Sequence, residues 1–240
     1  MPKNSAVRFA VMINVFLIAG LFSADLFAAQ AAGPDKAMTL WELVKAGGSC
    51  MIFLGALSVL GTASVIYHFR IVTPERLVPR EFSENLLFLL EKKEHAKALS
   101  VCRQQQDNLV AAIALKGLAR LDRGKSVVEE AIQYEGKARI EKLWQNLSYL
   151  GDVAAVAPML GLLGTILGMI EAFNYQAFRA GIIQPVSLAQ GLAKAMITTA
   201  FGLIIAVPAL VFYSYFRGRI GTITSSAERV SAEILHAIQK

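Results

Sequence analysis

A stretch of 22 residues without a charged side chain, residues 195–216, places the strongest constraint on how this chain folds. A helix of about 20 apolar residues spans the hydrocarbon core of a lipid bilayer. Two further stretches, residues 49–69 and 153–173, are similarly long and nearly as free of charge. A long charged segment separates the first two stretches, and a short link separates the second from the third. The sequence therefore predicts three transmembrane helices joined by polar segments.

The composition excludes an ordinary soluble domain. Hydrophobic residues make up 55% of the chain and charged residues only 18%, whereas a soluble domain of this length is less apolar and more charged. The net charge of +6 could indicate nucleic-acid binding. However, the basic residues alternate with acidic ones along helical stretches and form no patch with interleaved aromatic residues. We therefore expect a lipid bilayer as a partner and no nucleic acid.

The first 31 residues have the pattern of a secretory signal peptide. Lys3 and Arg8 form a basic start, residues 9–22 are apolar, and Ala29-Gln30-Ala31 provides a small-residue cleavage site. The apolar run is too short to cross a bilayer comfortably, although an uncleaved anchor helix is the alternative. Residues 37–48 follow as an amphipathic helix predicted to lie at the membrane surface.

The distribution of basic residues predicts the orientation in the membrane. Residues 70–150 contain 14 Lys or Arg and 11 Asp or Glu, with apolar residues at helical spacing. Residues 176–187 hold one basic residue, Arg179. Because basic residues flank spanning helices on the cytoplasmic side, the central block is predicted inside and the short link outside.

These observations predict an all-α membrane protein, with three transmembrane helices, a helical cytoplasmic loop bundle and long helices that extend into the cytoplasm. The predicted segments are a signal peptide (1–31), an interfacial helix (37–48), transmembrane helix 1 (49–69), a cytoplasmic helical loop (70–150), transmembrane helix 2 (151–175), a periplasmic link (176–187), transmembrane helix 3 (188–216) and a cytoplasmic tail (217–240). The mature N-terminus is predicted to be periplasmic.

No motif in the chain predicts covalent chemistry. The "RGKS" of residues 123–126 resembles the end of a phosphate-binding loop, but that motif needs a glycine where Ala119 stands. Cys50 and Cys102 are predicted on opposite sides of the membrane, so they form neither an intrachain disulfide nor a metal site. We predict no enzymatic activity, no cofactor and no metal.

Small residues recur at three- and four-residue spacing in two of the predicted spans. Such faces let helix backbones approach closely in lipid, so they indicate either simple helix packing or a functional face. Pro158 and Pro208 each leave a backbone carbonyl without its usual partner. The small-residue faces consist of Ala157, Gly161, Gly164, Thr165 and Gly168 in the second span, and of Ala195, Thr199, Gly202 and Ala206 in the third.

The segments "APMLGLLGTILGMIEAF" and "GLAKAMITTAFGLIIAVPALVFYSYF" together closely resemble the signature of the MotA/TolQ/ExbB proton-channel family. The segment "TLWELVKAGG" before the first span is similar to the ExbB branch. The resemblance covers about Thr39 to Phe216, which is most of the predicted mature chain.

This resemblance implies a homopentamer in the bacterial inner membrane, with helices two and three of each subunit lining a central pore. The pore would hold a dimer of a single-span ExbD- or TolR-type partner whose aspartate carries the proton. Proton flow would drive a TonB- or TolA-type protein in outer-membrane transport or envelope maintenance. The alternatives are a non-conducting ExbB-like scaffold and a TolQ-type envelope-integrity subunit. A MotA-type flagellar stator is less compatible, because it usually has four spans and a larger loop.

The resemblance also implies roles for particular residues. Thr165 and Thr199 match threonines of the family's second and third helices, which line the proton path. Lys194 stands where the family has a glutamate, because "G-I-x-E-A-L" is here "G-L-A-K-A-M". A lysine in the middle of a bilayer costs about 2.5–3.5 kcal/mol. Lys194 is therefore predicted either to snorkel to the outer water or to pair with Glu171 and tune a carboxylate, with Thr198 one turn away as a hydrogen-bond partner.

Overall fold

The structure is a computed structural model that describes residues 48–105, 107–178 and 185–239. Within these ranges every regular element is helical and no strand is present. The helices are α1 (Gly48–Ile71), α2 (Pro74–Leu77), α3 (Arg80–Glu91), α4 (His95–Gln104), α5 (Leu109–Leu118), a 3₁₀ turn (Leu121–Arg123), α6 (Lys125–Phe178) and α7 (Pro185–Gln239).

Helices α1, α6 and α7 are the ones that are long and apolar enough to cross a membrane among the described residues. Helix α6 has 54 residues and α7 has 55, so each is about 80 Å long at 1.5 Å per residue. The hydrocarbon core of a bilayer is only about 30 Å thick, so both helices continue well beyond it. The predicted all-α membrane fold with three long apolar helices is confirmed.

The long helices remain continuous where their composition changes. The apolar part of α6 follows directly from its charged first half, and the apolar part of α7 leads directly into a charged tail. Pro158 and Pro208 lie inside these helices without ending them. The sequence places segment boundaries near residues 150 and 216, and the helical backbone runs through both.

The chain forms two compact units, the first of which is apolar. It comprises the described residues up to Tyr67 together with Tyr149–Phe212. Its centre is a cluster of α1, α6 and α7 side chains built on Met51, Leu54, Ala157 and Ala206. Many large apolar side chains point outward instead, which is the distribution expected of a surface in contact with lipid tails. Examples are Ile52, Phe53, Met159, Leu162, Met196, Val207 and Leu210, all more than half exposed.

The second unit comprises His68–Ser148 and Tyr213–Lys240. Its central element is α5, in which eight of the ten residues are buried. Asn108 begins this helix, since its side-chain oxygen accepts a hydrogen bond of 2.9 Å from the Val110 amide. Cys102 on α4 is fully buried, and this burial raises the pKa of its thiol from an ordinary 9.0 to about 11. Cys102 is therefore a protonated, unreactive packing residue.

An aromatic cluster in the second unit joins the end of α1 to α7. The Phe69 and Phe216 rings meet edge to face with centroids 4.9 Å apart, and His68 lies 5.3 Å from Phe216. The Arg219 guanidinium donates a hydrogen bond of 3.4 Å to the Val72 carbonyl and lies over the Tyr215 ring. A cation at this position also complements the negative end of the α1 dipole.

Several predicted features lie outside the described residues. These are the signal peptide of residues 1–31, nearly all of the interfacial helix of residues 37–48, and residues 179–184 in the middle of the periplasmic link.

Candidate functional site at the contact of α6 and α7

The apolar parts of α6 and α7 meet through glycines that leave no room for a side chain. A β-carbon added to Gly161 would lie 2.9 Å from both the Thr198 carbonyl oxygen and Thr199 Cα. One added to Gly202 would lie 2.7 Å from the Ala157 carbonyl oxygen and 3.2 Å from Gly161 Cα. The two backbones therefore touch directly at the level of Gly161 and Gly202. Such close approach is the usual way in which helices associate in lipid, where the hydrophobic effect contributes little.

The contact continues toward the other end of the two helices. A β-carbon on Gly168 would lie 2.7 Å from the Ala195 β-carbon, and one on Gly191 would lie 2.5 Å from that of Ala172. A glycine on one helix thus faces an alanine on the other at three levels, which extend from Ala157 to Ala172 over about four turns of α6. Ala195 and Ala157 are buried by it.

Thr198 is the threonine that points into this contact. Its side chain is 1% exposed and fills the space left by Gly164, where an added β-carbon would lie 2.5 Å from the Thr198 hydroxyl oxygen. The hydroxyl lies within donating distance of the Ala195 carbonyl at 2.7 Å and of the Gly161 carbonyl at 3.1 Å. The second of these bonds joins α7 to α6.

Thr199 is adjacent to Thr198 in sequence but has a different environment. Its hydroxyl oxygen is buried, and it has no hydrogen-bond partner within the part of the chain that the structure describes. A buried hydroxyl without a partner costs about 1–3 kcal/mol. The site therefore keeps a polar group that it does not satisfy itself.

Thr165 on α6 is partly exposed, and its hydroxyl donates a hydrogen bond of 2.6 Å to the Leu162 carbonyl of its own helix. Pro208 lies on α7 beyond Gly202 and has no amide to donate to the preceding turn. Together with Thr199, these residues introduce polar backbone or hydroxyl groups into otherwise apolar helices.

Lys194 and Glu171 lie at the same level of the two helices. Lys194 is a residue of α7 next to Ala195, which faces Gly168 of α6, and Glu171 lies between Gly168 and Ala172. The Glu171 side chain is exposed. The side chain of Lys194 is outside the described part of the structure, so the ion pair stays a prediction.

The sequence alone did not identify Thr198 as the residue that bridges the two helices. The available signal was the position of Gly164, which creates a gap of the size of a threonine. Among the described residues, no group of three or more His, Cys, Asp or Glu side chains is arranged to hold a metal.

The sequence of this chain matches the profile of one protein family. The profile of the family described as "MotA/TolQ/ExbB proton channel family" matches residues 105–229, which includes the whole contact between α6 and α7 from Ala157 to Gly202.

Individual relatives agree with this match. A putative biopolymer transport protein ExbB homolog of Methanothermobacter thermautotrophicus is 29% identical over 185 residues, which are 76% of this chain and 64% of that protein. The biopolymer transport protein exbB1 of Vibrio cholerae is 44% identical over 86 residues, 36% of this chain and 38% of the relative. The Tol-Pal system protein TolQ of Haemophilus influenzae is 28% identical over 188 residues, 72% of this chain and 80% of the relative. The aligned chain thus spans less than two thirds of the first two relatives.

Proposed function

The chain belongs to the MotA/TolQ/ExbB proton channel family, and from this we propose that it is an ExbB-like subunit of a proton-driven motor in the bacterial inner membrane. The observation that carries the proposal is the family match across α6 and α7, whose contact contains a buried hydroxyl without a partner in the described chain. A group left unsatisfied at such a cost is typical of a functional site.

The proposed complex is a homopentamer that encloses a dimer of an ExbD- or TolR-type single-span protein. The motor would act on a TonB- or TolA-type protein in outer-membrane transport or envelope maintenance. The proposal is supported by relatives named for biopolymer transport and for the Tol-Pal system. It is also supported by the many outward-facing apolar side chains of α6 and α7, which offer surface for lipid and for further subunits.

Thr165 and Thr199 are the proposed proton-path residues. Thr199 presents a hydroxyl that can donate to the aspartate of the partner, and the hydroxyl oxygen of Thr165 can accept from a chain of water molecules. For Thr199 this role is supported by the absence of an acceptor in the described chain. For Thr165 the hydroxyl already donates to Leu162, and its oxygen still has a lone pair that accepts.

Lys194 is proposed to tune a carboxylate and not to carry the proton itself. An ammonium group near the pore repels cations, and pairing with Glu171 or with the aspartate of the partner removes that repulsion. Pairing also favours the ionised form of the carboxylate, because an opposite charge within about 4–6 Å lowers a carboxyl pKa. The proposal is supported by the shared level of Lys194 and Glu171 on the two helices.

Exchange of the two charges tests this role. We expect Lys194→Glu to lower energy-dependent transport about tenfold or more, because an uncompensated charge in the membrane costs about 2.5–3.5 kcal/mol. Glu171→Lys in the same chain should restore part of the transport. Normal transport by Lys194→Met would show that the lysine only snorkels and that the tuning idea is wrong.

The proposed topology places residues 70–150 and the tail in the cytoplasm and the mature N-terminus in the periplasm. It is supported by the excess of Lys and Arg in the central block. Reporter fusions after residue 110 and after residue 180 are expected to be active in the cytoplasm and the periplasm respectively. The opposite pattern of activity would exclude this orientation.

A second candidate function is a non-conducting ExbB-like scaffold, and the observation that favours it is Lys194 at the family's glutamate position. A TolQ-type role in envelope integrity shares the conducting mechanism and differs in the protein that is driven. A neighbouring gene for a small single-span protein with a membrane-embedded aspartate would favour the conducting motor over the scaffold. Proton flux through the reconstituted complex decides between them directly.

A further inference from the structure

We infer that Thr198 is a positioning residue that holds α7 against α6 and thereby keeps the neighbouring Thr199 hydroxyl, which has no partner among the described residues, in place. The inference rests on the proposed role of Thr199 in the proton path. It assigns the two adjacent threonines different functions, one that joins the helices and one that remains available.

The Thr198 side chain fits closely against α6. The side chain is almost completely buried and occupies the gap at Gly164, where even a β-carbon would come within 2.5–3.0 Å of Thr198 side-chain atoms. The hydroxyl reaches the Gly161 carbonyl of α6, 37 residues away in sequence. This bond connects a side chain of α7 to the backbone of α6 within the described part of their contact.

The Thr198 hydroxyl can choose between an acceptor on its own helix and one on α6. A threonine hydroxyl has a single proton, and here that proton has two carbonyls within reach, Ala195 at 2.7 Å and Gly161 at 3.1 Å. If the helices separate, the hydroxyl keeps its bond to Ala195 and is not left unsatisfied. The bond to Gly161 therefore contributes a modest part of the stability of the contact. An interhelical hydrogen bond of this kind changes the ratio of packed to separated helices about threefold on average and up to about twentyfold.

Thr198 and Thr199 share a contact with α6. The Thr198 carbonyl oxygen and Thr199 Cα would both lie 2.9 Å from a β-carbon added to Gly161, so both threonines pack against the same glycine. A shift of α7 at Thr198 therefore moves the Thr199 backbone and its buried hydroxyl together. Thr198 acts on the proton path through Thr199 and does not need to touch the proton.

Threonine-methyl NMR of the full chain in lipid nanodiscs tests this inference without reference to transport. Thr198→Val keeps the shape of the side chain and removes the hydroxyl, whereas Thr198→Ser keeps the hydroxyl. We expect the Thr199 methyl signal to shift in Thr198→Val and to return close to its original position in Thr198→Ser. Thr222→Val is the matched control, because the Thr222 hydroxyl donates only within α7, to the Gly218 carbonyl at 3.2 Å. An unchanged Thr199 signal in Thr198→Val would overturn the inference.

Proton flux through the complex with its single-span partner supplies the second readout. We expect Thr198→Val to lower the flux about threefold to twentyfold and Thr198→Ser to retain most of it. In the double variant, Thr198→Val should cause no loss of flux beyond that caused by Thr199→Val alone. Losses that add fully would show that Thr198 does not act through Thr199. If Thr198→Val fails to assemble, Thr198→Ala is compared with Thr198→Ser by the same criteria. If the wild-type complex shows no proton flux, the proposed function is refuted. If the Thr199 methyl signal nevertheless shifts in Thr198→Val, the positioning role of Thr198 stands.

Discussion

Gly161→Leu is expected to separate α6 from α7 and to abolish assembly of the complex. A β-carbon at this position already lies 2.9 Å from backbone atoms of Thr198 and Thr199, and backbone cannot move aside as a flexible side chain can. Leucine adds three further carbons beyond that β-carbon. Overpacking of a well-packed contact costs about 1–3 kcal/mol or more, and we expect this substitution to reach or exceed the upper value.

Gly55→Leu is the matched control for this substitution. Gly55 lies on α1, within a helix of membrane-spanning length, and no heavy atom would lie within 4 Å of a β-carbon added there. Both variants replace a glycine with leucine in an apolar helix, but only the leucine at residue 161 meets the backbone of another helix. Thermal unfolding in mild detergent and native mass spectrometry measure both. Equal stability and assembly of Gly161→Leu and Gly55→Leu would refute the direct backbone contact between α6 and α7.

The sequence predicted the three long apolar helices because membrane-spanning stretches depend on composition over about 20 residues, which is visible without knowledge of contacts. The small-residue face of α6 was also visible, since Gly161, Gly164 and Gly168 repeat at helical spacing. These glycines now prove to lie against α7 in the same chain. Their spacing alone did not say whether the neighbour would be α7, another subunit or a partner.

The distinct environments of Thr198 and Thr199 could not be predicted. Adjacent residues differ by about 100° around a helix, so which of them faces α6 depends on how α6 and α7 cross. The sequence pattern places Thr199 on the small-residue face and predicts Thr198 as a hydrogen-bond partner of Lys194. In the structure Thr198 enters the contact and donates to α6, whereas the Thr199 hydroxyl stays buried without a described partner.

Thr199→Val is expected to separate stability from function. Valine has the shape of threonine without the hydroxyl, and the Thr199 hydroxyl makes no hydrogen bond in the described chain. Removing an unsatisfied buried hydroxyl leaves stability unchanged or slightly higher. A hydrogen bond to the charged aspartate of the partner contributes about 1.5–3 kcal/mol, so its loss should lower proton transfer about tenfold to a hundredfold.

Thr165→Val is also expected to lower proton transfer, because it removes the hydroxyl oxygen that can accept from a water molecule in the path, and the double variant should still assemble. Energy-dependent transport in cells and the melting temperature of the purified complex measure the two properties separately. Full transport by the double variant would show that both threonines serve only in packing. A loss of assembly in Thr199→Val would instead assign the hydroxyl a structural partner.

Proton flux into liposomes that contain the purified complex of this chain and its single-span partner tests the central claim most directly. A pH-sensitive dye inside the liposomes records acidification after an inward pH gradient and a membrane potential are applied. The proposal predicts acidification by the wild-type complex that Thr199→Val reduces at least about tenfold while the complex stays assembled. An assembled wild-type complex that acidifies the liposomes no faster than protein-free liposomes would contradict the claim that this chain is part of a proton channel.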